Sequence, residues 1–294
     1  MKVLNFGSLN LDMVYGMEHI VRSGETFTAD QLTRAPGGKG LNQSVALARA
    51  GAQVYHAGNI GQDGALLLET LRSAGVRTEY VRTLPETSGH AIIQVERGGE
   101  NAIILYTGAN GSVTEEQIDE VLAGFAAGDW LVLQNEINRV DEIMEKAARK
   151  GMRIVLNPSP MDEKIGRLPL ELVDLFLLNE IEGADITGQT DPEEILDCLA
   201  QRFPQAQVVL TLGGQGARYL GGGQRLSQPA VRTNVVDTTA AGDTFTGFFI
   251  STLLRGGTPA EALETAAKAS AIAVSRKGAA PSIPTWDEVR EVSQ

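Results

Sequence analysis

A run of small residues in front of an apolar segment is the clearest chemical signal in this sequence. Within the run Asn234 to Arg255, Ala240, Ala241 and Gly242 lead into Asp243, and the residues that follow are almost wholly apolar. This pattern predicts a tight turn that begins a buried helix, whose first N–H groups and positive dipole end can bind an anionic oxygen. Asp243 could then take a proton from a nucleophile, which indicates phosphoryl transfer. Asp243 as an ordinary N-cap fits the same residues equally well.

Polar side chains that could hold hydroxyl groups follow two predicted strands. Asn10 and Asp12 come after the first strand, and residues two apart in an extended segment face the same way. This carboxamide and carboxylate can bind a vicinal diol, although Asn and Asp after a strand are also plain turn formers. Glu136 follows a buried strand, at the edge where open α/β sheets bind ligands, or it is a solvated loop carboxylate.

A glycine-rich segment, PGGKGLNQ, begins a predicted helix. Gly38 permits close approach of the backbone, Lys39 supplies a cation, and Asn42 lies in the first turn. The spacing is not that of a GxxxxGK[ST] phosphate-binding loop. The segment therefore predicts contacts with a ligand without a Walker A motif.

Two further segments could contact a nucleotide and its metal. Asn179 and Glu182 are one helical turn apart and could hold a hydrated Mg²⁺, which keeps several waters, although this spacing is common where acidic helices begin. The loop after the strand QVVLTL contains glycines that can turn N–H groups toward an anion, or form a generic turn: Thr211, Gly213, Gly214 and Gly216.

The sequences DTTAAGDTF and PGGKGLNQ resemble the two signatures of the ribokinase family of sugar kinases, the PfkB superfamily. The resemblance extends from Gly7 to Pro284 with the motifs in family order. It implies that Asp243 is the catalytic base and that the amides of residues 240–243 stabilise the transferred phosphoryl group. It also implies sugar contacts from Asn10, Asp12, Gly38, Lys39, Asn42, Glu136 and Asp243, and ATP contacts from Asn179, Thr211, Gly213, Gly214, Gly216 and Gly242. Water-mediated Mg²⁺ binding by Asn179 and Glu182 is implied in the same way.

The resemblance further implies a K⁺ site beside the anion-binding turn, held mostly by backbone oxygens. The implied positions are Asp237, Thr239, Ala273, Arg276, Gly278 and Ser282. The alternative is that Asp237 caps the turn and forms an ion pair with Arg276. Ala267 departs from the family, which often has Asn or His near the nucleotide, and Leu11 and His90 could alter which sugar fits.

Alternating strand-like and helix-like segments are expected to position these residues. They predict a three-layer α/β/α fold with a mainly parallel central sheet in one domain over residues 1–294. Two segments of short alternating pattern interrupt this order, approximately 13–35 and 90–107. We interpret them as a small β-sheet lid through which the protein forms a homodimer, as the resemblance implies; an edge extension of the main sheet is the alternative.

Composition limits the classes of partner. The formal net charge of −12 argues against nucleic acid or an anionic membrane as a partner. A single cysteine and the lack of a signal sequence or a long apolar run predict a cytoplasmic protein without disulfides.

We therefore predict an ATP-dependent sugar kinase that acts on a primary hydroxyl, with ribose as the leading substrate. Deoxyribose, a ketohexose or a nucleoside are alternative substrates. A binding protein that kept the fold and lost turnover is the alternative from another class.

Overall fold

The computed structural model describes residues 1–292, so residues 293 and 294 of the predicted domain lie outside it. The strands are β1 Val3–Phe6, β2 Asn10–Met17, β3 Gln31–Gly37, β4 Val54–Ile60, β5 Arg77–Thr83, β6 Gly89–Glu96, β7 Asn101–Tyr106, β8 Trp130–Leu133, β9 Arg153–Leu156, β10 Leu175–Asn179, β11 Gln207–Thr211, β12 Ala217–Gly221 and β13 Gln224–Gln228. The helices are α1 Lys39–Arg49, α2 Ala65–Ser73, α3 Glu115–Ala123, α4 Val140–Arg149, α5 Glu180–Thr187, α6 Pro192–Arg202, α7 Ala241–Leu254, α8 Pro259–Val274 and α9 Trp286–Glu291. Within this part of the chain, every helix is too short or too polar to span a bilayer.

Nine strands form the central sheet, in the order β13-β12-β11-β10-β9-β8-β1-β4-β5. The pairs from β5 to β11 are parallel, and β12 and β13 add an antiparallel edge. Apolar clusters cover both faces, one centred on helices α1, α7 and α8 and the other on α3, α4 and α6. The predicted three-layer fold with a mainly parallel sheet is confirmed.

The other four strands form a small sheet in the order β3-β2-β6-β7. Strands β6 and β7 form an antiparallel hairpin, and β2 pairs with both β3 and β6. Because these strands pair only with one another in residues 1–292, the alternative of an edge extension is wrong. The small sheet begins at Asn10, so the first polar residues of the site belong to it.

Threonine side chains cap helices α8 and α3 in different ways. Thr258 and Glu261 form a reciprocal capping box at α8. At α3 the amide of Gln117 donates to Thr114 Oγ1, but the Gln117 side chain does not return to the cap. Its Nε2 donates to Asn59 Oδ1 at 2.8 Å instead, because Gln117 is buried against β4.

Candidate active site

Helix α7 begins with the predicted turn. Ala240 is its N-cap and has a left-handed φ of 60°, one of two non-glycine residues in the described chain with positive φ. Asp243 is the third helical residue and is buried, so the alternative that Asp243 itself caps the helix is wrong. The amide of Ala241 donates to the Thr238 carbonyl at 3.2 Å. The amides of Gly242 and Asp243 follow in the first turn and can face an anion, and open space lies in front of Gly242.

Two carboxamides of helix α1 hold the Asp243 carboxylate. Asn42 Nδ2 donates to Oδ2 at 3.1 Å, and Gln43 Nε2 donates to Oδ1 at 3.0 Å. Both partners are buried. Each carboxylate oxygen of Asp243 therefore has one carboxamide donor, and the two contacts fix the orientation of the group.

The predicted hydroxyl-binding residues meet between β2 and the end of β8. Asn10 and Asp12 lie on the same face of β2, and the Asp12 carboxylate packs on Gly37, where an added Cβ would come within 2.0 Å of Oδ2. Glu136 Oε2 accepts hydrogen bonds from the Ser8 hydroxyl and from the Lys39 amide, the latter at 2.9 Å. The structure thus brings Asn10, Asp12 and Glu136 together beside the start of α1.

Burial disfavours the ionised forms of the Asp12 and Glu136 carboxyl groups. Burial, with the nearby charge of Glu136, raises the pKa of Asp12 to about 7. Burial also raises the pKa of Glu136, and the hydrogen bonds from Ser8 and Lys39 oppose that change only in part. Hydroxyl groups of a sugar could donate to both carboxylates, which fits their predicted role.

Leu11 and His90 do not face the hydroxyl-binding residues. Leu11 alternates with Asn10 and Asp12 along β2, and it is buried in the apolar cluster of the central sheet. His90 pairs in register with Leu11 and contacts Tyr106, with 5.0 Å between ring centroids. The expectation that these two side chains alter the choice of sugar is therefore not supported by their placement.

Asn179 and Glu182 form a capping box at the start of α5. Asn179 Oδ1 accepts from the amides of Ile181 and Glu182, and Glu182 Oε2 accepts from the Asn179 amide at 3.0 Å. Both residues also line a cavity of about 240 Å³ together with Lys39 and Asp243. The spacing of Asn179 and Glu182 thus forms a helix cap, which is the structural alternative given above. Both residues also face the cavity that Asp243, the predicted base, lines.

A larger cavity, of about 540 Å³, adjoins the first at the start of α7. This volume is suitable for a nucleotide-sized ligand. Its lining includes Thr211 and the glycines of the predicted loop, Gly213, Gly214 and Gly216. Gly213 and Gly216 have positive φ values of 50° and 95°, as the turn requires. Ala267 lines the far side on α8, so its small side chain is part of the cavity wall.

The predicted K⁺-binding positions lie on two segments, one with Asp237 and Thr239 and the other with Gly278. Asp237 connects these segments by hydrogen bonds. Its Oδ1 accepts from the amide and hydroxyl of Thr239, at 2.9 and 2.6 Å, and its Oδ2 accepts from the Gly278 amide at 2.9 Å. Burial alone would raise the pKa of Asp237, but these hydrogen bonds outweigh it and lower the pKa. Asp237 therefore caps the turn as an ionised carboxylate.

The other predicted cation positions have local partners. Arg276 Nη2 lies 2.6 Å from Glu288 Oε1, so the alternative of an ion pair with Asp237 is wrong. The Ala273 carbonyl accepts from the Arg276 amide at 3.1 Å, and the Ser282 hydroxyl donates to the Ala279 carbonyl at 2.8 Å.

Several residues of the site were not predicted from the sequence. Asn110 donates to Asn10 Oδ1 at 2.7 Å, and Ser8 holds Glu136. Gln43 and Asn157 are hydrogen-bonded to each other next to Asp243. Gln43 could have been identified from the sequence, because it is a polar residue within a segment of small and apolar residues that forms a buried helix.

An anion-binding helix N-terminus, a buried carboxylate beside it and a nucleotide-sized cavity define a phosphotransferase that acts on an alcohol. The family model of pfkB family carbohydrate kinases matches residues 1–286. The chain belongs to this family.

Characterised relatives agree with this assignment. The chain is 35% identical over 294 residues to the ribokinase of Haemophilus influenzae, covering 97% of this chain and 96% of the relative. It is 30% identical to the deoxyribokinase of Salmonella typhi, covering 99% and 98% of the two chains. The structure of Arabidopsis thaliana ribokinase complexed with ribose and ATP superimposes with a TM-score of 0.89 at 30% identity, covering 99% of this chain and 97% of that one.

We expect Asp12 to lower the stability of the ligand-free protein at alkaline pH. Its pKa is higher in the folded state than in the unfolded chain, so its favourable contribution is complete below about pH 4 and is lost as the pH rises through about 7. Asp12→Asn should therefore raise the free energy of unfolding by roughly 2–4 kcal/mol at pH 8, at about 1.4 kcal/mol per pKa unit. Urea unfolding at pH 8 and pH 5 measures this gain. An equal gain at both pH values would contradict the explanation.

Proposed function

We propose that this protein is an ATP-dependent kinase that transfers the γ-phosphoryl group of ATP to a primary hydroxyl of ribose. The observation that carries the proposal is the position of Asp243. Its carboxylate is buried, it is held by two donors, and it lines the cavity at the helix terminus that can bind the transferred phosphate. The identity to ribokinases over nearly the whole chain supports ribose as the sugar.

In the proposed reaction, Asp243 accepts the proton of the attacking hydroxyl. The amides of Gly242 and Asp243 donate to the phosphoryl oxygens as negative charge spreads over them. Lys39 lines the same cavity and supplies a positive charge in a site that also contains Glu136 and Asp12. This chain carries excess negative charge, so such local donors are needed to hold a polyphosphate.

Asn179 and Glu182 fit a hydrated Mg²⁺. Glu182 uses Oε2 for the capping box, and its side chain and that of Asn179 line the cavity beside α7. In residues 1–292 no three His, Cys, Asp or Glu side chains form a metal-binding group, and Mg²⁺ with nucleotide phosphates needs few protein ligands. When bound, the ion would neutralise charge on the β- and γ-phosphates.

The sugar is proposed to occupy the space between Asp12, Glu136 and Asn42. The Oδ1 atom of Asn42 is buried and has no hydrogen-bond partner in the described chain, while its Nδ2 donates to Asp243. Sugar hydroxyls could donate to the two carboxylates, whereas the Asn42 oxygen has almost no surface accessible to a ligand. A pentose with a vicinal diol satisfies more of these acceptors than deoxyribose does, since deoxyribose lacks one hydroxyl.

The proposal is tested by measuring ADP release with ATP and Mg²⁺ over ribose, deoxyribose, ketohexoses and nucleosides. We expect the highest kcat/KM with ribose, and no release when Mg²⁺ is chelated. Asp243→Asn should lower kcat with ribose by about 10²–10⁴-fold, the usual contribution of general-base catalysis. A preference for another substrate would reject ribose alone. Binding of ATP and sugar without ADP release by the wild-type protein would favour a non-catalytic regulator.

We also propose that a K⁺ ion bound near Asp237 stabilises the turn that precedes α7. Support comes from the hydrogen bonds by which Asp237 connects Thr239 to Gly278, because they join the two segments whose carbonyl groups are the proposed ligands. Replacing Na⁺ by K⁺ at constant ionic strength should raise kcat, and Asp237→Ala should remove this difference while the protein remains folded by circular dichroism. Constant ionic strength excludes general screening. Equal rates in Na⁺, K⁺ and a bulky organic cation would reject the site.

The small sheet is proposed to act as the lid, with segments 13–35 and 90–107, and to form a homodimer. Its edge strand β7 exposes Ile103, Ile104 and Leu105, each more than half accessible to solvent. An exposed apolar edge strand usually pairs with another chain. Sedimentation velocity should show a dimer for the wild type and a monomer for Ile104→Glu. A monomeric wild type at micromolar concentration would contradict the proposal.

A further inference from the structure

Gln43 is completely buried on α1 and contacts the catalytic carboxylate directly. Its Nε2 donates to Asp243 Oδ1 at 3.0 Å and to Asn157 Oδ1 at 3.1 Å. Asn157 must present its oxygen, because its own Nδ2 donates to the Leu177 carbonyl at 2.8 Å. Both hydrogens of the Gln43 amide are therefore used, and both point at fixed acceptors.

The other end of the Gln43 side chain is fixed as well. Its Oε1 accepts a hydrogen bond from Gln134 Nε2 at 2.6 Å. If the Gln43 amide rotated by 180°, its oxygen would face the Asp243 carboxylate and its nitrogen would face a donor. Gln43 therefore has one favourable orientation, and Gln134 enforces it.

Gln134 is fixed in turn by Asn5. The second hydrogen of Gln134 Nε2 goes to Asn5 Oδ1 at 3.0 Å. Asn5 Nδ2 donates to the Gly40 carbonyl at 2.8 Å and to Ser44 Oγ at 2.9 Å. A carbonyl can only accept, so the Gly40 contact determines which atom of the Asn5 amide is nitrogen.

The chain of hydrogen bonds ends at His56, which lies on β4. His56 Nε2 is 3.2 Å from the Gly7 carbonyl, so Nε2 carries the proton. Burial lowers the pKa of His56 to about 4, so the ring is neutral at neutral pH and Nδ1 is an acceptor. The Ser44 hydroxyl then donates to Nδ1 at 2.8 Å and accepts from Asn5. Backbone carbonyls and the Asp243 carboxylate therefore fix the orientation of the side chains in this hydrogen-bonded network.

One atom in this network is left without a partner. Gln134 Oε1 is buried and makes no hydrogen bond in residues 1–292. An unsatisfied buried acceptor costs roughly 1–3 kcal/mol. The observed orientation is nevertheless the favourable one, because a 180° rotation of the Gln134 amide would place its oxygen against the acceptor oxygens of Asn5 and Gln43 and break both hydrogen bonds.

We propose that Gln43 is a positioning residue that holds the Asp243 carboxylate in the orientation needed for proton transfer, and that Gln134 with Asn5, Ser44 and His56 fixes Gln43. The inference rests on the proposed role of Asp243 as general base. Gln43 acts on the base and not on bound ligands, so its loss should lower kcat while sugar and ATP binding remain.

The first test is Gln43→Met, which keeps side-chain length and removes the donor. We expect kcat to fall about 10–100-fold, the effect of a slightly misplaced catalytic group. KM for ribose and for ATP should change by less than about threefold. Gln117→Met is the matched control, because Gln117 is an equally buried glutamine whose Nε2 donates to Asn59 outside this network. It should lose stability with kcat unchanged.

A double-mutant cycle separates positioning from general support of the fold. In the Asp243→Asn background, Gln43→Met should change the residual rate by less than about threefold, because no carboxylate remains to be oriented. The same large factor in both backgrounds would overturn the proposal. If Asp243→Asn itself kept normal turnover, the assignment of the base would fail, and that result is distinct.

Gln134→Met keeps the test valid if Gln43→Met does not fold. This variant leaves Gln43 in contact with Asp243 but removes the donor that fixes its amide, so kcat should fall about 3–30-fold with KM values retained. A folded Gln134→Met protein with wild-type kcat would overturn the proposal.

Discussion

The close crossing of helices α1 and α7 is the constraint on which the site depends. Gly247 makes it possible, since an added Cβ would lie 2.4 Å from Ala46 Cβ and 2.7 Å from the Leu47 amide nitrogen. This contact between two buried helices brings Asn42 and Gln43 to the carboxylate of Asp243, three residues into α7. The same register leaves the first amides of α7 open to a cavity. This packing contact therefore places the proposed base beside the proposed anion-binding amides.

The site contains polar groups that the protein's own side chains do not fully satisfy. Asp12 and Glu136 have raised pKa values because burial disfavours their charge, and Asn42 Oδ1 and Gln134 Oε1 have no partners in the described chain. Each group costs stability in the free protein. For Asp12 and Glu136, hydroxyl groups of a ligand can supply the missing donors. Gln134 differs, because its oxygen faces Gly7 and not a cavity, so a ligand cannot be the reason for its orientation. The two hydrogen bonds that its Nε2 donates, to Asn5 and Gln43, account for its orientation.

The sequence predicts the fold where local chemistry is unambiguous. The alternation of strands and helices is confirmed, and the two segments of short alternating pattern form a separate small sheet. Strands β5, β12 and β13 were not predicted, because β5 and β13 are the edge strands, β12 pairs with β13, and all three carry polar residues that weaken the strand pattern. Glu136 and Asp12 could be proposed from motifs and resemblance. Asn110 and Gln134 could not, since their roles depend on partners about 100 or more residues away in sequence.

Glu182 shows why spacing alone could not decide between structure and function. A carboxylate at the third position of a helix closes a capping box with one oxygen, and that contact fixes the carboxyl group at the helix end. Helix α5 begins directly after the carboxyl end of β10. Helix α7 starts at the same end of the sheet, so the first turn of α5 faces the cavity that Asp243 lines. The capping box therefore holds Glu182 in place at this cavity. The structural role and the metal-binding role are compatible, because the first supplies the rigidity that the second requires.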